Sequence, residues 1–173
     1  MDKTPRTILV LGGARSGKSR HAQALAEAIA SSRLYIATAQ AFDDEMHDRI
    51  ARHQADRDAS WTTVEAPTAL PDAIRANAGA SVILVDCLTL WLSNLLLADV
   101  DLDAASDALV NAIAATRSPI ILVSNEVGFG IVPDNALARR FRDAAGRLNQ
   151  RLAAACDAVD LVVAGIPLRI SPR

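Results

Sequence analysis

The stretch "GGARSGKS", Gly12 to Ser19, decides the fold of this chain. It fits the pattern G-x-x-x-x-G-K-[S/T], and it stands between a short apolar run and a longer helical pattern, which is the context that a P-loop requires. Its glycines let the backbone turn tightly and aim successive N–H groups at phosphate oxygens, while the helix start adds a partial positive charge. The stretch therefore predicts a nucleoside triphosphate site; a glycine-rich turn with a chance lysine is the weaker interpretation.

Three side chains take roles in this predicted site. Lys18 is placed to reach the β- and γ-phosphates, and Ser19 offers a hydroxyl group to Mg²⁺. Asp86 ends the buried run "SVILVD", where a carboxylate can hold the water shell of a phosphate-bound Mg²⁺. An ordinary strand-ending aspartate is the alternative for Asp86. Ser19 and Asp86 are therefore the predicted metal-binding residues.

Around the loop, short runs rich in Ile, Val and Leu alternate with longer helical patterns. The runs are "TILVLG" (Thr7–Gly12), "RLYIAT" (Arg33–Thr38), "SVILVD" (Ser81–Asp86), "PIILVS" (Pro119–Ser124) and "DLVVAG" (Asp160–Gly165). Near-continuous apolar runs are typical of strands buried on both faces, and this alternation predicts an α/β fold with a parallel sheet between two layers of helices. We expect one domain over residues 1–173. "WTTVEAP" predicts a further short strand, and "IPLRI" an edge strand.

Composition narrows the class of protein. The net charge is −2, which is not the basic field of a nucleic-acid-binding protein, and the two cysteines, Cys87 and Cys156, form no CxxC pair. A reducing, cytoplasmic setting without a signal peptide fits these features.

The run from Val82 to Val100 contains Asp86 and Asn94, so a buried strand and a buried helix are favoured over a membrane span. Its helix carries more apolar residues than one buried face needs, which predicts that another subunit covers part of it.

The segment "SNEVGFGIVPDN", Ser124 to Asn135, follows the fourth strand. Its glycines and its proline prevent regular structure, and Asp134 or Asn135 can cap the next helix. Because ligands in open parallel sheets bind beyond the carboxyl ends of the strands, this segment is predicted to be a substrate loop. Glu126 and Asp86 are both candidates for the base that activates an acceptor hydroxyl group.

Two of the three histidines lie in "DDEMHDRIARHQADR", Asp43 to Arg57. At helical spacing His53 falls in line with the apolar residues, whereas His47 lies on another face. Arg49 and Arg57 stand one turn before and one turn after His53, and positive neighbours favour the neutral imidazole, which is a competent nucleophile. The residues alone leave two interpretations open: a structural core histidine and a catalytic one.

The chain resembles the bifunctional adenosylcobinamide kinase/adenosylcobinamide-phosphate guanylyltransferase family over nearly its whole length. The P-loop alone is generic, but the histidine stretch together with the "NEVGFGIVP" loop is specific to that family. The quoted similarities are "LVLGGARSGKSRHAQALA", "YIATAQAFDDEMHDRIARHQADR", "W-x-T-x-E-x-P", "VDCLTLWLSNLL" and "VSNEVGFGIVPDNALARRFRDAAGRLNQRLAAACDAVDLVVAGIP".

The resemblance implies a late step in cobalamin assembly. Adenosylcobinamide is phosphorylated by ATP or GTP, and GMP from GTP is then attached to that phosphate, giving adenosylcobinamide-GDP and pyrophosphate. It implies a RecA-like P-loop fold, a homotrimer, Mg²⁺ as cofactor, and His53 with Lys18 as catalytic residues. The GTP contacts that it implies are Gly12, Gly13, Ala14, Arg15, Ser16, Gly17, Lys18, Ser19, Ala37, Thr38, Ala39, Gln54, Ala55, Asp56, Arg57, Glu65 and Asp86.

Two other functions stay open on the sequence. A simple P-loop kinase with a structural His53 would never carry label from the α-phosphate. A nucleotide-binding switch would hydrolyse GTP and ignore cobinamide.

Overall fold

A computed structural model describes residues 5–40, 51, 55 and 57–171 of the chain. The elements, in chain order, are β1 (Thr7–Gly12), α1 (Lys18–Ile29), β2 (Arg33–Ala37), β3 (Trp61–Glu65), α2 (Leu70–Ala76), β4 (Ile83–Asp86), α3 (Leu88–Leu97), α4 (Leu102–Ala115), β5 (Ile120–Asn125), α5 (Ala136–Ala155), β6 (Ala158–Val163) and β7 (Ile166–Ser171). Strands and helices alternate as the sequence predicts.

The strands form one seven-stranded sheet in the order β3-β2-β4-β5-β1-β6-β7. Every pairing is parallel except that of β6 with β7, which is antiparallel. All six residues of β1 are buried, because the strand lies inside the sheet and is covered on both faces. The predicted α/β fold with a mostly parallel sheet is therefore confirmed, and so are the short strand at Trp61 and the edge strand at Ile166.

Helices cover both faces of the sheet and divide the core in two. On one face the alanines of α1, Ala22 and Ala26, pack with Val10 and Tyr35. On the other face α2, α3, α4 and α5 supply a larger cluster that includes Trp91. Small alanine side chains let α1 lie close to β1, which keeps the start of α1 directly beyond the end of that strand.

The expectation that a second subunit covers α3 rests on a wrong premise. Trp91, Leu95 and Leu96 are 1%, 4% and 6% exposed in the single chain, and the indole N–H of Trp91 donates to the Thr68 carbonyl at 2.8 Å. The helix lies between the sheet, α4, α5 and the segment after β3, so it is enclosed on nearly every side. Only Leu97, at the end of the helix, is strongly exposed.

The predicted strand bounds differ from the observed ones by up to two residues. β6 begins at Ala158 rather than Asp160, and it ends at Val163. Among the described parts of the chain, no helix combines the length and the hydrophobicity that a bilayer crossing requires.

Candidate active site at the phosphate loop

The loop between β1 and α1 has the backbone that the P-loop motif predicts. Gly17 has φ +93° and is the residue before Lys18, so a side chain there would be strained. A Cβ on Gly12 would lie 2.8 Å from the carbonyl oxygen of Val162, so glycine is also required at that position by space. A Cβ on Gly13 would have no atom within 4 Å. Two of the three glycines are thus fixed by the surrounding structure.

Lys18 lies over this loop at the start of α1. Its side chain is 9% exposed, and its ammonium group donates to the Gly13 carbonyl at 3.1 Å. Lys18 is the first residue of α1, where the unpaired N–H groups add positive potential. The ammonium group and these N–H groups are therefore directed at the same region, which suits a multiply charged phosphate ligand.

Ser19 and Asp86 line one cavity of about 510 Å³. Ser19 enters it from the first turn of α1, and Asp86 from the carboxyl end of β4. Among the described residues, no group of three or more His, Cys, Asp or Glu side chains is arranged to hold a metal. One hydroxyl group and one carboxylate fit a Mg²⁺ that takes most of its ligands from triphosphate oxygens and water. Ser19 and Asp86 therefore lie at the same cavity, and their binding of Mg²⁺ stays a prediction.

Arg57 and Tyr35 also line this cavity. The guanidinium carbon of Arg57 lies 3.5 Å from the centroid of the Tyr35 ring, within cation–π range. Burial and then the charge of Asp86 raise the pKa of Tyr35 above its ordinary value, and Arg57 opposes them only in part. The Tyr35 hydroxyl group therefore stays protonated, and Arg57 and Arg20 are positive groups that line the same cavity as Asp86. Sequence reasoning did not identify Tyr35, because its neighbours make it look like any buried strand residue.

The loop after β5 touches the phosphate loop directly. The Glu126 N–H donates to the Gly12 carbonyl at 3.0 Å, and one Glu126 carboxylate oxygen accepts from the Gly128 N–H at 2.7 Å. Beyond it Phe129 and Ile131 are 85% and 97% exposed. The Asn135 side chain caps α5 by accepting from the Ala138 N–H at 2.8 Å, as predicted. The loop therefore begins at the site and carries apolar side chains on its surface.

The segments after β2 and β3 are held by Thr38, Cys87 and Asn94, which we call the neutral cluster. The Thr38 hydroxyl group donates to the Cys87 carbonyl at 2.6 Å and accepts from the Cys87 N–H at 2.9 Å. The Asn94 amide donates to the carbonyls of Thr38 and Pro67, both at 2.9 Å. Thr38 is fully buried, so its side chain serves this cluster and not a ligand. Burial raises the pKa of the Cys87 thiol, which makes it a poor nucleophile.

The other predicted site residues differ in burial. Ala37 and Ala39 are half-buried on either side of Thr38, Glu65 is exposed at the end of β3, and Ala55 is exposed. His53, Gln54 and Asp56 lie outside the described residues, as do His47 and Arg49. The structure therefore brings together the P-loop, Asp86 and Arg57, and the histidine hypothesis stays a prediction.

Comparisons with known sequences cover almost the entire chain. The family model described as "Cobinamide kinase / cobinamide phosphate guanyltransferase" matches residues 8–170. The bifunctional adenosylcobalamin biosynthesis protein CobP of Pseudomonas aeruginosa is 52% identical over 163 residues, covering 92% of this chain and 94% of that protein. CobU of Salmonella typhimurium is 48% identical over 179 residues, covering 94% and 98%. Every site residue described above lies within the matched span.

Solved structures with the same architecture are distant in sequence. An ATPase of a bacterial type III secretion system has a TM-score of 0.55 and 11% identity, covering 94% of this chain and 56% of that chain. The VirB11 ATPase of Brucella suis, in complex with sulphate, has a TM-score of 0.50 and 15% identity, covering 96% and 48%. At such identities the likeness concerns the fold alone, and it agrees with a RecA-like P-loop domain.

Proposed function

The chain belongs to the cobinamide kinase/cobinamide phosphate guanylyltransferase family, a family of bifunctional enzymes of adenosylcobalamin biosynthesis, and we propose the chemical course of its two reactions. Adenosylcobinamide is first phosphorylated by ATP or GTP on the hydroxyl group of its aminopropanol arm. GMP is then transferred from GTP to that phosphate through a GMP–His53 intermediate. The products are adenosylcobinamide-GDP and pyrophosphate.

One observation carries the proposal: Ser19, Asp86 and Arg57 line a single cavity next to the phosphate loop. Bound Mg²⁺ would be held by Ser19 and Asp86, and it supplies charge neutralisation to the triphosphate oxygens. The Lys18 ammonium group and the loop N–H groups hold the phosphates next to it. Arg57 and Arg20 add positive groups to the lining of the same cavity, and a reaction with two phosphate partners needs such groups.

In the kinase step the acceptor hydroxyl oxygen attacks the γ-phosphorus, and the bond from that phosphorus to the bridging oxygen breaks. Nucleoside diphosphate leaves, and the hydroxyl proton passes to a base. Asp86, which lines the cavity and would also hold Mg²⁺, and Glu126, one of whose carboxylate oxygens accepts from the Gly128 N–H, are the two candidates for this base. Lys18 stabilises the charge that develops on the transferred group.

In the guanylyl step the neutral imidazole of His53 attacks the α-phosphorus of GTP. A P–N bond forms, the bond to the β-phosphate oxygen breaks, and pyrophosphate leaves. The cobinamide phosphate oxygen then attacks the same phosphorus and releases the imidazole. Arg57 follows His53 by four residues in the sequence and lies over the Tyr35 ring at the cavity, so we assign it to the oxygens of a phosphate group there.

The remaining expectations belong to the same proposal. GTP contacts extend from the loop (Gly12, Gly13, Ala14, Arg15, Ser16, Gly17) to Ala37, Ala39 and the Thr38 backbone, to Gln54, Ala55 and Asp56, and to Glu65. The chain acts as one P-loop domain over residues 1–173 in a cytoplasmic homotrimer. It acts on adenosylcobinamide and its phosphate, and it uses no nucleic acid.

The test is to incubate the protein with α-labelled or γ-labelled GTP, with and without adenosylcobinamide. We expect α-label on the protein in an acid-labile, base-stable bond, as in phosphoramidates, and γ-label on cobinamide. His53→Ala should lose the α-label and guanylyl transfer while it keeps cobinamide phosphorylation. His47→Ala is the matched control and should label like the parent.

Other results would overturn parts of this scheme. Labelling that disappears in His47→Ala and survives in His53→Ala would move the nucleophile to His47. A parent protein that phosphorylates cobinamide and never takes up α-label would be a kinase with a structural His53. GTP hydrolysis without any labelled cobinamide would indicate a nucleotide-dependent switch.

A further inference from the structure

A buried carboxylate lies beside the phosphate loop, on strand β6. Asp160 is 3% exposed and stands between Ala158 and Val162 on the apolar face that packs against α1. Its oxygen Oδ2 is 2.8 Å from Nε2 of His21, and both of its oxygens receive N–H groups of Arg169 on β7. We call these three residues the ionic cluster.

The ionic cluster acts on the helix that carries the catalytic lysine. His21 lies in the first turn of α1, three residues after Lys18. Its backbone N–H donates to the Gly17 carbonyl at 3.0 Å. Asp160 therefore ties β6 to the turn of α1 that presents Lys18 and Ser19. Burial alone raises the pKa of Asp160, but the hydrogen bonds from Arg169 and His21 outweigh it, and the pKa lies below its ordinary value. Asp160 is thus an anion near neutral pH.

The turn between β6 and β7 contacts the loop itself. The Gly165 N–H donates to the Ser16 carbonyl at 2.8 Å. A Cβ on Gly17 would lie 3.2 Å from the Gly165 Cα, and one on Gly12 would lie 2.8 Å from the Val162 carbonyl. The hairpin therefore touches the phosphate loop near its start and near its end, while the ionic cluster fixes the helix that follows.

We propose that the β6–β7 hairpin is a brace for the phosphate loop, with His21 and Asp160 as positioning residues for Lys18 and Ser19. The brace holds the loop and the first turn of α1 in the conformation that receives a triphosphate before any nucleotide arrives. Arg169 completes it by holding β7 against β6, where it pairs with Asp160 across the two strands. Neither His21 nor Asp160 touches substrate in this scheme.

The proposal rests on the proposed function only for the choice of GTP as probe. Because both reactions use the same loop, a weakened brace should reduce kinase and guanylyl activities in equal proportion, mainly through a higher KM for GTP. The His53→Ala variant should lose only the guanylyl activity. Experiments on the brace and experiments on His53 therefore test the two proposals separately.

The test compares His21→Leu with His21→Gln in the full chain. Leucine removes the donor to Asp160, whereas the glutamine amide can reach the same oxygen, so glutamine should rescue. We expect His21→Leu to bind GTP about tenfold more weakly, the equivalent of about 1.4 kcal/mol, and to show faster amide exchange over residues 12–18 without nucleotide. His21→Gln should stay within about threefold of the parent, about 0.7 kcal/mol.

Two further variants keep the test decisive. The Arg169 side chain is partly exposed, so the Arg169→Leu variant should fold even if His21→Leu does not. It should also weaken GTP binding. Arg151→Leu removes a pair of ionic contacts on α5, to Asp103 and Asp107, and should leave GTP binding unchanged. The proposal is overturned if folded His21→Leu and Arg169→Leu bind GTP like the parent, if glutamine fails to rescue, or if Arg151→Leu weakens binding equally. A parent that binds no GTP would count against the proposed function, and amide exchange would then decide the brace.

Discussion

The carboxyl edge of the sheet is supported by ionic contacts on one side and by neutral ones on the other. On the β6–β7 side the ionic cluster joins Asp160 to His21 and Arg169, whose side chains are 19% and 40% exposed. On the β2–β4 side the neutral cluster joins Thr38, Cys87 and Asn94, all of them 8% exposed or less. The two clusters support different halves of the same site.

The depth of burial explains the difference. Asp160 is buried, but both of its partners reach solvent, so the cost of desolvating the ion pairs is limited to one group. The neutral cluster includes Asn94 of α3 and is buried throughout, and a charge there would have to give up its hydration without any exposed partner. Neutral hydrogen bonds satisfy the same backbone groups at a lower cost. This contrast predicts different responses of the two sides to mutation, pH and salt.

The largest effect on activity is expected from a change at Lys18, on the phosphate loop that both clusters flank. Lys18→Ala removes the positive group that neutralises the transferred phosphate, so both reactions should slow by about 10²–10³-fold, as for other losses of a positioned donor. Steady-state rates of phosphorylation and guanylyl transfer check this, with circular dichroism to verify folding. Parent-like rates in both reactions would show that Lys18 is not the catalytic cation.

The next largest effect is expected in the neutral cluster. Asn94→Leu leaves the buried carbonyl of Thr38 and the partly buried carbonyl of Pro67 without their donor, and it should lower the free energy of unfolding by about 2–4 kcal/mol. Because no charge is involved, the loss should be the same at low and high salt. Urea denaturation measures it.

The control is Asn77→Ala, which removes one hydrogen bond to the Ala73 carbonyl at the end of α2. Because this contact is partly solvated, its loss should lower the free energy of unfolding by less than about 1 kcal/mol. An equal loss in the two variants would contradict the importance of the neutral cluster.

The contribution of the ionic cluster to stability should depend on pH. The pKa of Asp160 is lowered in the folded state, so its contribution to stability is present above the ordinary carboxyl pKa, about 4, and is lost as pH falls through the lowered value. At neutral pH Asp160→Asn should cost about 1.5 kcal/mol. The difference between parent and variant should shrink in acid, which urea denaturation at several pH values can follow.

Part of the acid dependence should remain in Asp160→Asn. The hydrogen bond from the Thr7 N–H, then that from Arg6, lowers the pKa of Asp157, which stays in place. A difference that stays constant down to acid pH would mean that Asp160 does not act as an anion in the folded state.

The smallest effect is expected on the outer surface of α5. Arg151 contacts Asp103 and Asp107 at 3.0 and 3.1 Å, but both carboxylates are mostly exposed. Arg151→Leu should therefore cost less than about 1 kcal/mol, and the cost should fall as salt is added. A loss as large as that of Asp160→Asn would remove the distinction between buried and exposed ionic contacts.

The sequence alone determined the fold class and the phosphate loop, and it predicted that Ser19 and Asp86 lie at one site, where they line a common cavity. These features depend on local spacing: glycines at fixed positions, a lysine at a helix start, and apolar runs of strand length. Sequence reasoning missed the ionic cluster because it began β6 at Asp160, which made a buried strand residue look like a boundary residue. A strand that begins at Ala158 would have placed an aspartate in a row of core positions.

Only the tertiary structure decided which distant residues meet. Asp160 and His21 are separated by 139 positions, and Asn94 lies 56 positions from Thr38, so no periodicity links them. The same reason explains the mistake over α3, because an excess of apolar residues does not reveal whether the chain itself or a partner covers them. Periodicity identifies the face of an element that is buried, whereas the neighbour that covers this face depends on the packing of the whole sheet.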